Sequence, residues 1–246
     1  MSTRHISSEE ARILEPGSEH YTAYVGPPRD YDFMGATQFR LLCTLGLRAQ
    51  HRLLDFGCGS LRVGRMLIPY LQPGHYYGVE PNRWLIDDAI EHEVGADLIR
   101  IKTPQFLYHD TFSCREFDVR FDYILAQSIF SHCGADLITR ILGEFAESLS
   151  EEGIVAATFI HSADRRRAEP EEGWVYPDEV SYSAASITEL LEGSGLQGCP
   201  IPWQHPRQTW WLLARNASRL PDPERHHLLR GEVLHGPPLA EHEPSS

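Results

Sequence analysis

Asp55, Gly57, Gly59 and Glu80 follow one another in the order that suits the binding of a nucleoside. From Leu53 to Gly64 the chain reads Leu-Leu-Asp-Phe-Gly-Cys-Gly-Ser-Leu-Arg-Val-Gly, an apolar strand running into a glycine-rich turn that opens a helix. Gly57 and Gly59 answer a conformational need, since a chain turning from strand to helix visits positive φ and a missing Cβ lets a bulky ligand approach the backbone. A second strand, Tyr76-Tyr77-Gly78-Val79, ends in Glu80. A carboxylate at that tip can accept both hydroxyl protons of a ribose. It can equally cap the helix beginning at Pro81 and Asn82, where the helix dipole favours negative charge.

Two histidines stand where acid–base work would be done. His132 follows the apolar run from Phe121 to Phe130, and His161 ends the run from Ile154 to Phe159. Open α/β sheets place ligands at the carboxyl ends of their strands, which ranks these two above His5 and His20 as candidate bases. Imidazole titrates near neutrality and suits removal of a proton from an acceptor. For His132 the competing role is a hydrogen bond to the start of the next helix, between Gly134 and Asp136. Arg62, just past the turn, is a candidate for meeting a carboxylate, with a surface ion pair as its alternative.

These residues need elements to position them. Leu61, Met66, Leu67 and Tyr70 predict a helix from Leu61 to Tyr70 after the turn, and Phe33 to Leu47 reads as a helix before the first strand. Leu137, Ile138, Ile141, Leu142, Phe145 and Leu149 give a one-faced helix from Asp136 to Leu149. Two late strands, Leu196 to Pro202 and Gln208 to Ala214, flank Trp203-Gln204-His205-Pro206-Arg207. Residues 1–47 form an N-terminal segment in which Tyr21, Tyr24 and Tyr31 either wall a cation or pack an arm onto the core. The stretch from His161 to Ala185, with Trp174, Tyr176 and Tyr182, is too long for a simple connector and is expected to set specificity. Residues 216–246 form a Pro- and His-rich tail, expected to be partly disordered.

The chain has 246 residues and a formal net charge of −13. That size suits one α/β domain with additions, and that charge argues against a nucleic-acid partner, because duplex phosphates call for concentrated Lys and Arg. The run Arg165-Arg166-Arg167 is followed at once by Glu169, Glu171 and Glu172 and reads as a solvated loop. Cys43, Cys58, Cys114, Cys133 and Cys199 show no paired metal spacing, and no metal is expected. The tail histidines His226, His227, His235 and His242 follow no tetrahedral ligand pattern. Scattered cysteines and the lack of an apolar leader or span lead to the expectation of a reduced, cytoplasmic protein without membrane integration. A homodimer is compatible with the pattern, which does not decide assembly.

From Leu53 to about Ala214 the order of these motifs resembles the class I S-adenosylmethionine-dependent methyltransferases. Leu53 to Gly59 is similar to their first motif, Glu80 to their ribose acid, His109-Asp110 to the loop that meets the adenine amino group, and Phe121 to His132 to the fourth strand and its following loop. Leu149 to Phe159 is similar to their fifth strand, and the two late strands to their final antiparallel hairpin. The resemblance implies a doubly wound, seven-stranded, mostly parallel α/β sheet of Rossmann-like methyltransferase type with that C-terminal hairpin, over residues 48–215. It implies S-adenosylmethionine as cofactor, with Asp55, Gly57, Gly59, Glu80, Asp110 and Gln127 contacting it and His132 or His161 serving catalysis. The third glycine position of the turn is Leu61. Nicotinamide enzymes want glycine there for packing against a pyrophosphate, so the departure disfavours an oxidoreductase.

The expected function is therefore methyl transfer to a small-molecule acceptor, with specialised metabolites among the candidates. Two alternatives use the same cofactor differently: displacement on its aminobutyrate arm with release of methylthioadenosine, or binding without turnover by a sensor or partner protein.

Overall fold

The structure is a computed structural model that describes residues 3–162 and 172–231. The chain folds as two compact units that divide after Phe112. The division falls inside the span read from sequence as one catalytic domain.

In the first unit, a short helix α1 (Tyr21–Tyr24) and a longer α2 (Tyr31–Thr44) precede strand β1 (Leu53–Phe56). Then follow α3 (Gly64–Tyr70), β2 (Tyr76–Val79), α4 (Arg83–Ala89), α5 (Ala96–Lys102) and β3 (Gln105–Leu107). The strands lie in the order β3-β2-β1, all parallel, with Asp55 opposite Gly78 and Gly78 opposite Phe106. All residues of β1 and β2 are buried, as expected for parallel strands covered on both faces.

Two helix boundaries differ from the sequence expectation: α2 runs Tyr31–Thr44 instead of Phe33 to Leu47, and the helix after the turn starts late. The helix after the turn begins at Gly64, not Leu61, because Leu61 itself adopts φ +55°, continuing a turn in which Gly57 lies at +73° and Gly59 at +51°. Leu61 thus holds a conformation that glycine would adopt more readily, and it is fully buried. Apolar packing offsets local strain.

The second unit contains β4 (Phe121–Ala126), α6 (Ala135–Ser148), β5 (Leu149–His161), a two-residue β6 (Ser181–Tyr182), α7 (Ala184–Ser194), β7 (Gln197–Ile201) and β8 (Thr209–Ala214). Its order is β4-β5-β8-β7, with β4 and β5 parallel and β5, β8 and β7 antiparallel, while β6 runs parallel to the end of β5. The seven expected strands are present, β6 being an addition. The fold is a mostly parallel Rossmann-like α/β sheet with an antiparallel C-terminal hairpin, as the sequence led us to expect. The α6 face carrying Leu137, Ile138, Ile141, Leu142 and Phe145 is buried.

Residues after Ala214 do not simply trail away. Gln204 donates its backbone N–H to the Arg230 carbonyl at 2.8 Å, and a Cβ on Gly231 would lie 2.7 Å from the Trp203 ring. Residues 217–219 and 223–228 form 3₁₀ turns. Polar composition had hidden this return. His235 and His242 of the tail lie outside the described residues, as do Arg165-Arg166-Arg167, Glu169 and Glu171 of the long loop. No helix among the described residues is long and apolar enough to cross a membrane.

Candidate functional site

The glycine-rich turn hangs from the end of β2. Gly57 and Cys58 both donate their backbone N–H to the Val79 carbonyl, at 2.9 and 3.1 Å, and Gly59 donates to Glu80 Oε2 at 3.1 Å. Glu80 Oε1 accepts from the Asn82 backbone N–H at 2.8 Å and from Asn82 Nδ2 at 2.9 Å. Glu80 therefore braces the entry to α4, as the capping reading has it, and its other oxygen stands against the turn. A dinucleotide-binding turn needs its amides for the pyrophosphate. Here three successive amides are already engaged within the protein.

Asp55 is buried at the end of β1 and accepts a hydrogen bond from the Tyr76 hydroxyl at 2.7 Å. Burial pushes its carboxyl up to about 6, against the Tyr76 bond and the nearby Arg62 charge. Burial likewise raises Glu80, opposed by the N–H groups of Asn82 and Gly59. These two acids carry a solvation cost that a cationic or hydroxyl-bearing ligand would relieve.

Arg62 supplies the complementary charge. Its Nη1 donates to the Val25 carbonyl at 2.9 Å, while its buried Nε has no hydrogen-bond partner among the described residues. Burial lowers its pKa, and Tyr31 and Asp55 act the other way. A guanidinium with an unmet donor beside a buried carboxylate fits the carboxylate and ammonium of an amino acid, the chemistry of the methionine end of S-adenosylmethionine.

The N-terminal segment reaches the same turn. A Cβ on Gly59 would lie 2.7 Å from Val25 Cγ1, so only glycine lets the arm sit this close. Of the three tyrosines, Tyr21 and Tyr31 pack into a cluster with Leu85, Tyr21 donating to Glu93 at 2.8 Å and Tyr31 to the Ser60 carbonyl at 2.8 Å. They anchor the arm. Tyr24 packs on the same cluster, edge-on to Trp84 at 5.3 Å, and its hydroxyl pKa is raised by burial and by the Glu80 charge. Asp110 lies exposed in the bend after β3.

In the second unit, His132 Nδ1 lies 2.7 Å from the Asp178 carbonyl. A carbonyl only accepts, so Nδ1 carries the proton and a neutral ring keeps its lone pair at Nε2. Trp174 and Tyr176 pack beside this ring, with centroids at 5.6 and 5.1 Å. The ring thus bonds to the segment after Trp174, not to the helix start. His161 differs, because its Nε2 accepts the Trp211 indole N–H at 2.8 Å and burial lowers its pKa. Its lone pair is already in use. Gln127 Nε2 lies 3.3 Å from His205 Nε2 of the hairpin connection. Sequence reasoning passed over His205, Gln208 and Trp210, whose relation to Gln127 no local pattern carries.

Comparison with known proteins bears on the fold. A methyltransferase domain family matches residues 54–155, spanning β1, both acids, β4 and the first part of β5. Residues 54–155 thus resemble a methyltransferase domain. No curated relative matches it. Among solved structures, the mitomycin 7-O-methyltransferase MmcR superposes with a TM-score of 0.58 at 16% identity, over 86% of this chain and 61% of that one. Magnesium protoporphyrin IX methyltransferase from Synechocystis PCC 6803, with bound S-adenosylhomocysteine, gives 0.55 at 12% identity, over 77% and 86%. The DhpI complex with S-adenosylhomocysteine gives 0.54 at 18% identity, over 76% and 85%. At such identities the likeness is one of fold; the methyltransferase family that residues 54–155 match uses S-adenosylmethionine.

The cysteines of this region are chemically quiet. Burial raises the thiol pKa of Cys58 and of Cys133, which suits small core residues.

Proposed function

We propose that this protein transfers a methyl group from S-adenosylmethionine to a small-molecule acceptor. The observation that carries the reading is the turn itself: Gly57, Cys58 and Gly59 give their amides to Val79 and Glu80, leaving a cradle without a pyrophosphate site but with two buried acids and an unmet arginine donor.

In this reading Asp55 holds the ammonium of the cofactor and Arg62 its carboxylate. Glu80 accepts the ribose hydroxyls with the lone pairs its three N–H donors leave over, Gly57 and Gly59 let the ligand approach the backbone, and Asp110 meets the adenine amino group. When bound, the sulfonium supplies an electrophilic methyl. His132 is the base: Asp178 fixes its tautomer, and Nε2 receives the proton of the acceptor. His161, with Nε2 committed to Trp211, serves to fix the end of β5. Gln127 belongs with the acceptor, given its tie to His205. The arm of residues 3–31 acts as a lid, supported by the packing of Val25 against Gly59.

Calorimetric titration with S-adenosylmethionine, S-adenosylhomocysteine, methylthioadenosine and the nicotinamide dinucleotides tests this. Micromolar binding of the first two, with the others weak, is expected. Preference for methylthioadenosine would move the chemistry to the aminobutyrate arm, and binding of none would end the reading.

A further inference from the structure

In the second unit, three side-chain atoms near the carboxyl end of β4 and the start of β8 are buried with no hydrogen-bond partner among the described residues: Gln127 Oε1, Gln208 Oε1 and Trp210 Nε1. Gln127 and Gln208 are joined through His205, and Trp210 packs edge-on to the same ring. His205 Nδ1 accepts the backbone N–H groups of Arg207 and Gln208 at 3.1 and 2.9 Å, so the proton of the neutral ring is on Nε2. That N–H points at the Gln127 amide, 3.3 Å away. A donor there requires an acceptor, so the amide turns its oxygen to His205 and presents its NH₂ at the buried position left unsatisfied. Gln208 Nε2 donates to Ser128 Oγ at 3.0 Å and lies 3.5 Å from Ser131 Oγ, which leaves its oxygen without a donor. Trp210 stands edge-on to His205, with centroids 6.2 Å apart.

The group thus presents two donors, from Gln127 and Trp210, and one acceptor, from Gln208, and none of the three is charged. Buried polar groups are normally satisfied, so an unmet set of this kind points to a missing partner. A cationic amine would find no carboxylate among the three, and an anion no cation. Hydroxyl groups both donate and accept, and a pair of them on neighbouring carbons meets such a set. One turn away, next to Ser131, His132 packs against Trp174 and Tyr176, which remain 45% and 38% exposed. These two rings are nearly parallel at 20°, with centroids 6.3 Å apart. The two partly exposed rings offer an outer face on which the C–H side of a saturated ring can lie.

We propose that Gln127, Gln208 and Trp210, with the Trp174–Tyr176 face, bind a neutral polyhydroxylated acceptor, a sugar ring or its like. The proposal deepens the methyltransferase reading and rests on it for the word acceptor, but the binding it describes can be read alone.

Saturation-transfer difference NMR on the full chain with S-adenosylhomocysteine tests it, using methyl α-glucopyranoside and methyl α-rhamnopyranoside as probes beside phenol and benzylamine. Transfer to the ring protons of a glycoside is expected, with affinity falling about fivefold or more in Gln127→Leu and in Gln208→Leu, the scale of one lost hydrogen bond. Binding of S-adenosylhomocysteine in the same samples reports that the variants are folded. No transfer to either glycoside, transfer unchanged in both variants, or transfer only to phenol or benzylamine overturns the proposal; in the first case ordered water is what fills the group. Glycoside binding without S-adenosylhomocysteine binding would instead sink the methyltransferase reading and leave the sugar site standing.

Discussion

The carboxylate of Glu80 takes the backbone N–H of Gly59 at 3.1 Å, which joins the tip of one strand to the turn that follows its neighbour. The same carboxylate also takes both N–H donors of Asn82, so three bonds on one group shape the turn and the entry to α4. Glu80→Ala is expected to weaken S-adenosylmethionine binding by about 2–3 kcal/mol through lost charge-assisted hydrogen bonds. A stability loss of about 1–3 kcal/mol should accompany it, since the amides of Gly59 and Asn82 lose their acceptor. Calorimetry and thermal melts read the two separately, and unchanged affinity in a folded variant removes Glu80 from the site.

Asp55 yields effects of opposite sign. Burial holds its carboxyl at about 6 in the folded chain against 3.8 when unfolded. The folded state therefore binds its proton more tightly, and the associated stability is full below 3.8 and lost as pH rises through about 6. Asp55→Asn removes this loss and should stabilise the protein at pH 7.5 by up to about 3 kcal/mol, while flattening the pH dependence of the melt. The same variant should bind S-adenosylmethionine about tenfold more weakly or worse, having lost the partner of the ammonium. A variant both less stable and equally tight would contradict this assignment.

Acid should loosen the N-terminal arm. His20 is fully buried and caps α1, its Nδ1 accepting the Thr22 backbone N–H at 3.2 Å while Nε2 donates to the Ile6 carbonyl at 3.3 Å. Burial lowers its pKa below 6.5, so the unfolded arm takes the proton first. The stabilisation is present above 6.5 and is lost as pH falls below it. Hydrogen exchange at pH 7.5 and 5.5, corrected for intrinsic rates, should show protection lost in residues 3–24 before β1. Equal protection of the arm at both values would refute the switch.

The two histidines of the second unit should separate in kinetics. His132→Gln is expected to lower kcat by about 10²-fold or more, with S-adenosylhomocysteine affinity intact. His161→Ala leaves the Trp211 indole N–H without its acceptor and should cost about 1–2 kcal/mol of stability instead. Both are measurable on whichever acceptor a labelled-methyl screen identifies. Reversal of the pattern would exchange their roles.

What could be read from the sequence was what neighbours in sequence decide. The turn glycines, the acid ending β2 and the one-faced helix α6 rest on local spacing, and the structure has them where spacing put them. The start of α3 was misread because Leu61 carries apolar periodicity while its backbone belongs to the turn. The relations that decide chemistry in the second unit are long-range: Gln127 meets His205 across 78 positions, and His161 meets Trp211 across 50. Side-chain type at one position says nothing of a partner so distant. The return of the chain onto Trp203 at Gly231 was hidden for a similar reason, polar composition having masked one specific contact.

Arg4 forms a two-pronged bond to Asp88, at 2.9 and 2.8 Å, across 84 positions of the chain. Contacts of that separation close late, after the nearer strand and helix pairings have formed. The arm therefore docks on a unit already assembled, and breaking its anchor with Arg4→Ala should speed unfolding while leaving the folding rate nearly unchanged. How long the folded chain persists is then set in part by its first few residues.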